Sequence, residues 1–295
     1  MFHPSDHDVE LSEEEFRLLR DFIHERFGLF FTDNQRNSLR TRLTGRLAAL
    51  DLMSFEDYYH YLRFGPQRAE ELERMISHLT NNETYFFREQ PQLNVFADSV
   101  LRTVKDRKQK TGDRTLRILS AGSSTGEEVH TLAMMIYDSG QFFWNWTVEL
   151  FALDVDHVAL EKARKGLYFH NSFRSVPQDV IDKHFTRQGT GFQLKENIRK
   201  MVTFRQGNIM EASSYEGWAP LDVIFCRNVL IYFSDATILK VVKLFYEVLA
   251  PGGFLFLGHA ESLSRITDLF TPIRFQGAMV YQKPAAAAPP AETRP

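Results

Sequence analysis

Leu116-Arg117-Ile118-Leu119-Ser120-Ala121-Gly122-Ser123-Ser124-Thr125-Gly126-Glu127-Glu128 is the stretch on which the fold turns. Its first four residues read as a short apolar strand, the glycine-containing segment as a tight turn, and the run through Met135 as a helix. Strand, glycine turn and helix in that order open a doubly wound α/β sheet. The alternation continues downstream. Val148 to Leu153 is a second strand ending at Asp154, followed by a helix from about His157 to Arg164. Val202 to Phe204, Asp222 to Cys226 and Phe254 to Leu257 are further strands, with a long helix from Asp235 to Leu249 before the last. A segment around Ala278 to Gln282 can add an antiparallel edge. A mostly parallel sheet of this kind places its ligand at the carboxyl ends of the strands.

Upstream the periodicity is helical. Ser12-Glu13-Glu14-Glu15 has the capping-box form and precedes Phe16, Leu19, Phe22, Ile23 and Phe27 at helical spacing, with Gly28 as a stop. A second helix runs from about Asp33 to Leu50 on a stripe of Leu39, Leu43, Leu47 and Leu50. Ser54 and Asp57 cap a third through Leu62, and Glu70 to Leu79 makes a fourth. Residues 1 to 90 hold eleven arginines, no lysine and seventeen acids, and the first lysine is Lys105, which marks a boundary near residue 100. The expected organisation is a small all-helical domain over 1–80, a linker motif and helix over 81–112, the α/β domain over 113–283, and a flexible Pro/Ala tail over 284–295.

Composition narrows the function. The chain has 295 residues, 43% of them hydrophobic and 25% charged, which is the balance of a globular protein. No apolar run approaches the roughly 20 residues of a membrane span, and no secretory leader is legible, so membrane insertion is not expected and a cytoplasmic location is. A net charge of -3 excludes the basic footprint of a general nucleic-acid binder. The single cysteine, Cys226, excludes an intramolecular disulfide and a thiolate metal cage. None of the ten histidines has HExxH-like spacing, so no metal is implied.

Three chemistries compete for the glycine turn. A phosphate loop requires Gly-Lys-Ser/Thr, whereas Gly126 is followed by Glu127, whose charge repels phosphate. Gly122-Ser123-Ser124-Thr125-Gly126 also fits the nucleophile elbow of a hydrolase, with Ser124 as nucleophile and Asp222 and His259 as partners in the required order. An adenosine ligand without phosphate explains more residues. Asp154 stands where an acid accepts both ribose hydroxyls in dinucleotide folds, and an acidic glycine loop suits the positive sulfonium and amino groups of S-adenosylmethionine. Taken singly, each acid also fits a carboxylate stabilised in a helix first turn.

Four motifs in order then resemble the chemotaxis receptor glutamate methyltransferase (CheR) family. They are Asn82-Glu83-Thr84-Tyr85-Phe86-Phe87-Arg88-Glu89, Ser124-Thr125-Gly126-Glu127-Glu128, Phe225-Cys226-Arg227-Asn228-Val229-Leu230-Ile231-Tyr232-Phe233, and Gly258-His259-Ala260-Glu261. The resemblance spans about residues 10 to 283 and implies a Rossmann-like class I methyltransferase domain behind an amino-terminal helical domain. It implies cofactor contacts at Asn82, Thr84, Arg88, Glu127, Asp154, Asn208, Ile209, Arg227 and Asn228. Tyr232 matches the active-site tyrosine, and Arg88 is a second catalytic candidate because it can attract the substrate carboxylate. The implied activity is transfer of a methyl group from S-adenosylmethionine to glutamates of chemoreceptor-like proteins. A module that holds the cofactor without turnover is the rival, and the presence of Arg88, Asn228 and Tyr232 counts against it.

Val129-His130 replaces the family's usual Pro-Tyr and Ala260 its commoner serine, departures that touch the outer rim of the loop. Phe86 and Phe87 read as core. In the family a basic second helix lies near the receptor, which puts Arg36, Arg40, Arg42 and Arg46 forward as substrate contacts. A small β insertion can also grip a tether peptide at the receptor's carboxyl end. The matching segment is placed at about 189–200, between the third and fourth sheet strands, with Lys195-Glu196-Asn197 as a tight turn. So short an edge predicts methylation independent of a tether.

Overall fold

A computed structural model describes residues 9–285. The extreme amino terminus and residues 286–295 of the expected Pro/Ala tail lie outside the described residues.

The helical domain forms as its caps dictate. Helix α1 (Glu13–Phe27) starts at a reciprocal capping box between Ser12 and Glu15, and α3 (Phe55–Phe64) starts where Ser54 Oγ accepts from the Asp57 amide at 3.1 Å. Between them lies α2 (Arg36–Ala49), and α4 (Arg68–Leu79) closes the set. Leu19, Ile23, Leu39, Leu43, Leu47, Phe55 and Tyr58 are fully buried in one core, each contributing up to about 1.5–3 kcal/mol. Arg46, expected to face a substrate, instead points inward. Its Nε and Nη2 donate to Glu71 at 2.9 and 2.6 Å, and Tyr58 donates to the same carboxylate at 2.7 Å. Arg42 donates to the Leu79 carbonyl at 2.5 Å. The leucine stripe carried both arginines towards the α4 side, where buried acceptors hold them.

A linker helix, α5 (Gln90–Val95), passes through a π turn at Phe96–Val100 into α6 (Leu101–Thr111). The α/β domain follows as β1 (Thr115–Ala121), α7 (Glu127–Ser139), β2 (Thr147–Asp154) and α8 (His157–Lys165). Next come β3 (Leu167–Tyr168), α9 (Gln178–His184), β4 (Phe185–Gln188), β5 (Gly191–Leu194), α10 (Glu196–Arg199) and β6 (Val202–Gln206). The chain ends with β7 (Leu221–Cys226), α11 (Asp235–Val248), β8 (Leu249–Leu257), β9 (Thr271–Phe275) and β10 (Ala278–Gln282). The main sheet has seven strands in the order β6-β2-β1-β7-β8-β10-β9, the first five parallel and β10 antiparallel to both of its neighbours, β8 and β9. Strand order reverses between β1 and β7, so a crevice opens there at the carboxyl ends.

The small insertion is larger than the sequence suggested and lies earlier. It is a three-stranded antiparallel sheet, β3-β5-β4, between the second and third strands of the parallel set. Gly189 and Thr190 turn β4 into β5, and Lys195-Glu196-Asn197 starts α10 instead of making a hairpin turn. Pairing with Leu167 and Tyr168, some 25 residues upstream in sequence, completes the sheet.

Two devices join the domains. Leu29 makes an antiparallel bridge to Phe233, with the Phe30 amide donating to the Tyr232 carbonyl at 2.8 Å. Asp156, the cap of α8, also accepts from Ser77 Oγ at 2.6 Å, Thr80 Oγ1 at 3.1 Å and Asn82 Nδ2 at 2.8 Å.

Candidate active site

A cavity of about 210 Å³ lies at the switch point, roofed by the helical domain. Its floor is the β1–α7 turn. Gly122 (φ +75°) and Gly126 (φ +89°) occupy left-handed backbone, and a Cβ on Gly126 would stand 2.7 Å from Ala163 Cβ. The Gly122 and Ser123 amides donate to the Leu153 carbonyl at 2.8 and 3.0 Å, drawing the turn onto the end of β2.

Asp154 is the central group. It is 8% exposed, and its two oxygens accept from the Ser124 amide at 2.7 Å and the Asp156 amide at 2.9 Å. Each oxygen keeps capacity for a further donor, and the residue lines the cavity. Burial raises its pKa to about 6. The site is therefore primed for a ligand that brings hydroxyl or amine donors.

The linker motif closes one wall. Asn82, Thr84 and Arg88 all line the cavity. Asn82 is a tie as well: its Oδ1 accepts from Ser124 Oγ at 2.8 Å while its Nδ2 donates to Asp156. Arg88 donates to the Glu83 carbonyl at 3.2 Å. Asn208 and Ile209, after β6, line the opposite wall, with Asn208 Nδ2 donating to the Arg26 carbonyl of α1 at 2.9 Å.

Of the two acids of the glycine loop, Glu128 and not the expected Glu127 lines the cavity. Glu127 is 3% exposed and faces away from the cavity, accepting from Thr125 Oγ1 at 2.6 Å and Ser172 Oγ at 2.9 Å, and burial raises its pKa. Glu128 lines the cavity instead and holds Arg227, whose Nε donates to it at 2.6 Å. Arg227 and Asn228 also line the cavity. One residue of helix rotation, about 100°, separates the two glutamates, and α7 is buried on nearly every side, so no single apolar face chooses between them.

Val129 and His130 are interior residues and not part of the rim. Tyr168 donates to the Thr125 carbonyl at 2.9 Å, so it accepts from His130 Nδ1 at 2.7 Å; burial lowers the histidine pKa to about 3 and keeps it neutral. The pair braces the glycine loop against the small sheet. Phe86 is fully buried, and Phe87 packs against the same core.

The loop after β7 supplies the lip. Its residues 228–231 are held by Glu261, whose carboxylate accepts from the amides of Asn228 and Val229 at 2.9 Å, Ile231 at 3.3 Å and Gly258 at 2.5 Å. His259, in contrast, is exposed. Tyr232 stands 37% exposed at the mouth, and its hydroxyl accepts from Asn81 Nδ2 at 3.1 Å. Phe87, Glu89, Ser124 and Asn228 all adopt positive φ without being glycine, at +59°, +59°, +49° and +61°. Such strained backbone clusters where function demands it.

The hydrolase arrangement does not form. Asp222 sits at the amino end of β7, fully buried, accepting from Arg107 at 2.7 Å, while Ser124 lies at the carboxyl end of β1 and donates to Asn82. No cluster of three or more His, Cys, Asp or Glu positioned for a metal occurs among the described residues.

Comparison with known families agrees with this geometry. Residues 82–279 match the profile of the CheR methyltransferase SAM-binding domain, and residues 14–80 match that of the CheR methyltransferase all-alpha domain. The chain belongs to the CheR methyltransferase family. It is 36% identical over 278 residues to "Chemotaxis protein methyltransferase 2" of Vibrio cholerae, covering 94% of this chain and 95% of that one. It is 35% identical over 279 residues to "Chemotaxis protein methyltransferase" of Escherichia coli, covering 92% of each. The protein is thus an S-adenosylmethionine-dependent methyltransferase. The site fits that cofactor, because the buried Asp154 retains acceptor capacity towards the cavity and the close-packed glycine turn leaves room beside it. No helix among the described residues is long and apolar enough to cross a membrane.

Proposed function

We propose that this CheR methyltransferase acts on glutamate carboxylates of chemoreceptor-like helical proteins, with Tyr232 as the residue that meets the acceptor. When bound, S-adenosylmethionine supplies an electrophilic methyl group. The acceptor is already ionised near pH 7, since free glutamate has a pKa of about 4.3, so the protein need not provide a strong base. What it must provide is alignment, worth roughly 7–11 kcal/mol when complete. The observation that carries this reading is the Tyr232 hydroxyl at the cavity mouth: it accepts from Asn81 and keeps its own proton to donate to an arriving carboxylate. Arg88, inside the same cavity, adds attraction at longer range. Asn82, Thr84, Asn208, Ile209, Arg227 and Asn228, together with Asp154, enclose the cofactor, and Glu128 takes the part first given to Glu127.

Incubation with methyl-labelled cofactor and a chemoreceptor cytoplasmic fragment should yield base-labile methyl esters on glutamate. Tyr232→Phe should lower turnover about 10- to 150-fold, the worth of one charge-assisted hydrogen bond, while calorimetric affinity for S-adenosylhomocysteine stays within about twofold. Unchanged turnover would transfer the role to Arg88.

The receptor contacts are narrower than the arginine pattern suggested. With Arg42 and Arg46 held internally, the exposed Arg36 at the start of α2 remains the better candidate for receptor carboxylates. The small sheet offers β4 as an edge of only four residues. Deleting the receptor's carboxyl-terminal segment should therefore change the methylation rate by less than about tenfold, the equivalent of 1.4 kcal/mol, and a larger loss would show that the edge grips a tether.

A further inference from the structure

We propose that Phe30 and Ile231 form an apolar rim that docks a helix of the protein substrate, selecting glutamates with apolar residues one helical turn away. This rests on the methylation reading above and specifies which glutamates it reaches.

The bridge between the domains produces the rim. In extended pairing, successive side chains alternate between faces. Leu29 and Phe31 turn inward, packing in or against the helical core, and Phe233 packs against the catalytic core. Phe30 is left outward on one side of the bridge and Tyr232 on the other, joined through the 2.8 Å bond from the Phe30 amide to the Tyr232 carbonyl. Phe30, which lines the cavity, is 49% exposed, as is Ile231, the residue before Tyr232 in the chain, against 37% for Tyr232 itself. Two large apolar side chains, one from each domain, are thus exposed close to Tyr232, Phe30 across the bridge and Ile231 next to it in the chain.

Continuity with the cavity identifies the occupant. A glutamate side chain is short, so the backbone that carries it must lie against the mouth when its carboxylate reaches Tyr232. On a helix, residues three and four positions away share the face of the glutamate. Those residues meet Phe30 and Ile231, and apolar ones bury them where charged ones would leave them in water. Arg88 lines the cavity beneath and favours the acceptor carboxylate over a neutral amide at the same place. The partner is thus an amphipathic helix whose acceptor glutamate interrupts an apolar stripe.

The test compares wild type, the Phe30→Ser/Ile231→Ser pair and the Phe30→Leu/Ile231→Leu pair, all in the full chain. The probes are methyl-labelled S-adenosylmethionine and a chemoreceptor cytoplasmic fragment. The serine pair should raise KM for the fragment about tenfold or more, with S-adenosylhomocysteine affinity within about twofold, and the leucine pair should stay near wild type. An unchanged KM in the serine pair, or equal impairment in the leucine pair, would overturn the rim. Should the serine pair lose S-adenosylhomocysteine binding, Ile231→Asp alone decides by the same two readouts. Absence of any labelling by wild type would instead count against glutamate methylation itself.

Discussion

Replacing Asp154 by alanine is expected to weaken S-adenosylhomocysteine binding by at least about 3 kcal/mol, more than a hundredfold, in a chain that still folds. The carboxylate keeps one acceptor position per oxygen after its bonds to the Ser124 and Asp156 amides, and two hydroxyl donors filling them would each contribute about 1.5–3 kcal/mol. The pH dependence follows from the same burial. With its pKa raised to about 6, Asp154 is ionised above that pH and protonated below it. Ligand donors favour the ionised form, so binding lowers the pKa, releases a proton near pH 6, and weakens as pH falls from 7 to 5. Calorimetry in buffers of different ionisation enthalpy reads the released proton, and Asp154→Asn should abolish both the release and the pH slope. An alanine variant with wild-type affinity would show that the cofactor lies elsewhere.

Much of this site was legible because its signals are local. The strand ending at Asp154, the turn from Gly122 to Gly126 and the caps at Ser12 and Ser54 each depend on a few adjacent residues, so spacing alone reveals them. What the sequence withheld depends on partners far apart in the chain. Asp156 gathers Ser77, Thr80 and Asn82 across more than seventy positions, and nothing near residue 156 announces that it fastens one domain to the other. Arg46 looked available on the edge of a leucine stripe because its partner Glu71 lies on another helix. The small sheet escaped for a related reason: β3 has two residues, too few to show a period, and takes its partner from a distant segment. The choice between Glu127 and Glu128 is subtler. Both begin the same helix, and Arg227, brought up by β7, pairs with the one that lines the cavity.

Glu261 is the sharpest instance of a long-range role, and its removal is the second large effect expected. Its carboxylate is 8% exposed, and burial pushes its pKa up while four backbone donors pull the other way. Those donors belong to Gly258 and to the loop residues Asn228, Val229 and Ile231, immediately before Tyr232. Glu261→Ala leaves amides without partners, each worth about 1–3 kcal/mol if it stays buried, so three or more give a loss of at least about 3 kcal/mol. For a chain of this size that lowers the thermal midpoint by roughly 6–12 °C. The catalytic consequence is separable from the stability one. Arg227 keeps its own bond to Glu128, and Asp154 is untouched, so cofactor affinity should fall less than turnover, through Asn228 alone, whereas Tyr232 loses the loop that aims it. Turnover with saturating cofactor at a temperature well below the midpoint should therefore drop by about tenfold or more. Glu261→Gln, with one acceptor oxygen in place of two and an amide forced against backbone N–H groups, should fall between alanine and wild type. A variant that loses thermal stability but keeps full turnover would reduce Glu261 to a structural anchor. Loss of cofactor affinity and turnover in equal measure would show that the loop holds the cofactor more than the acceptor.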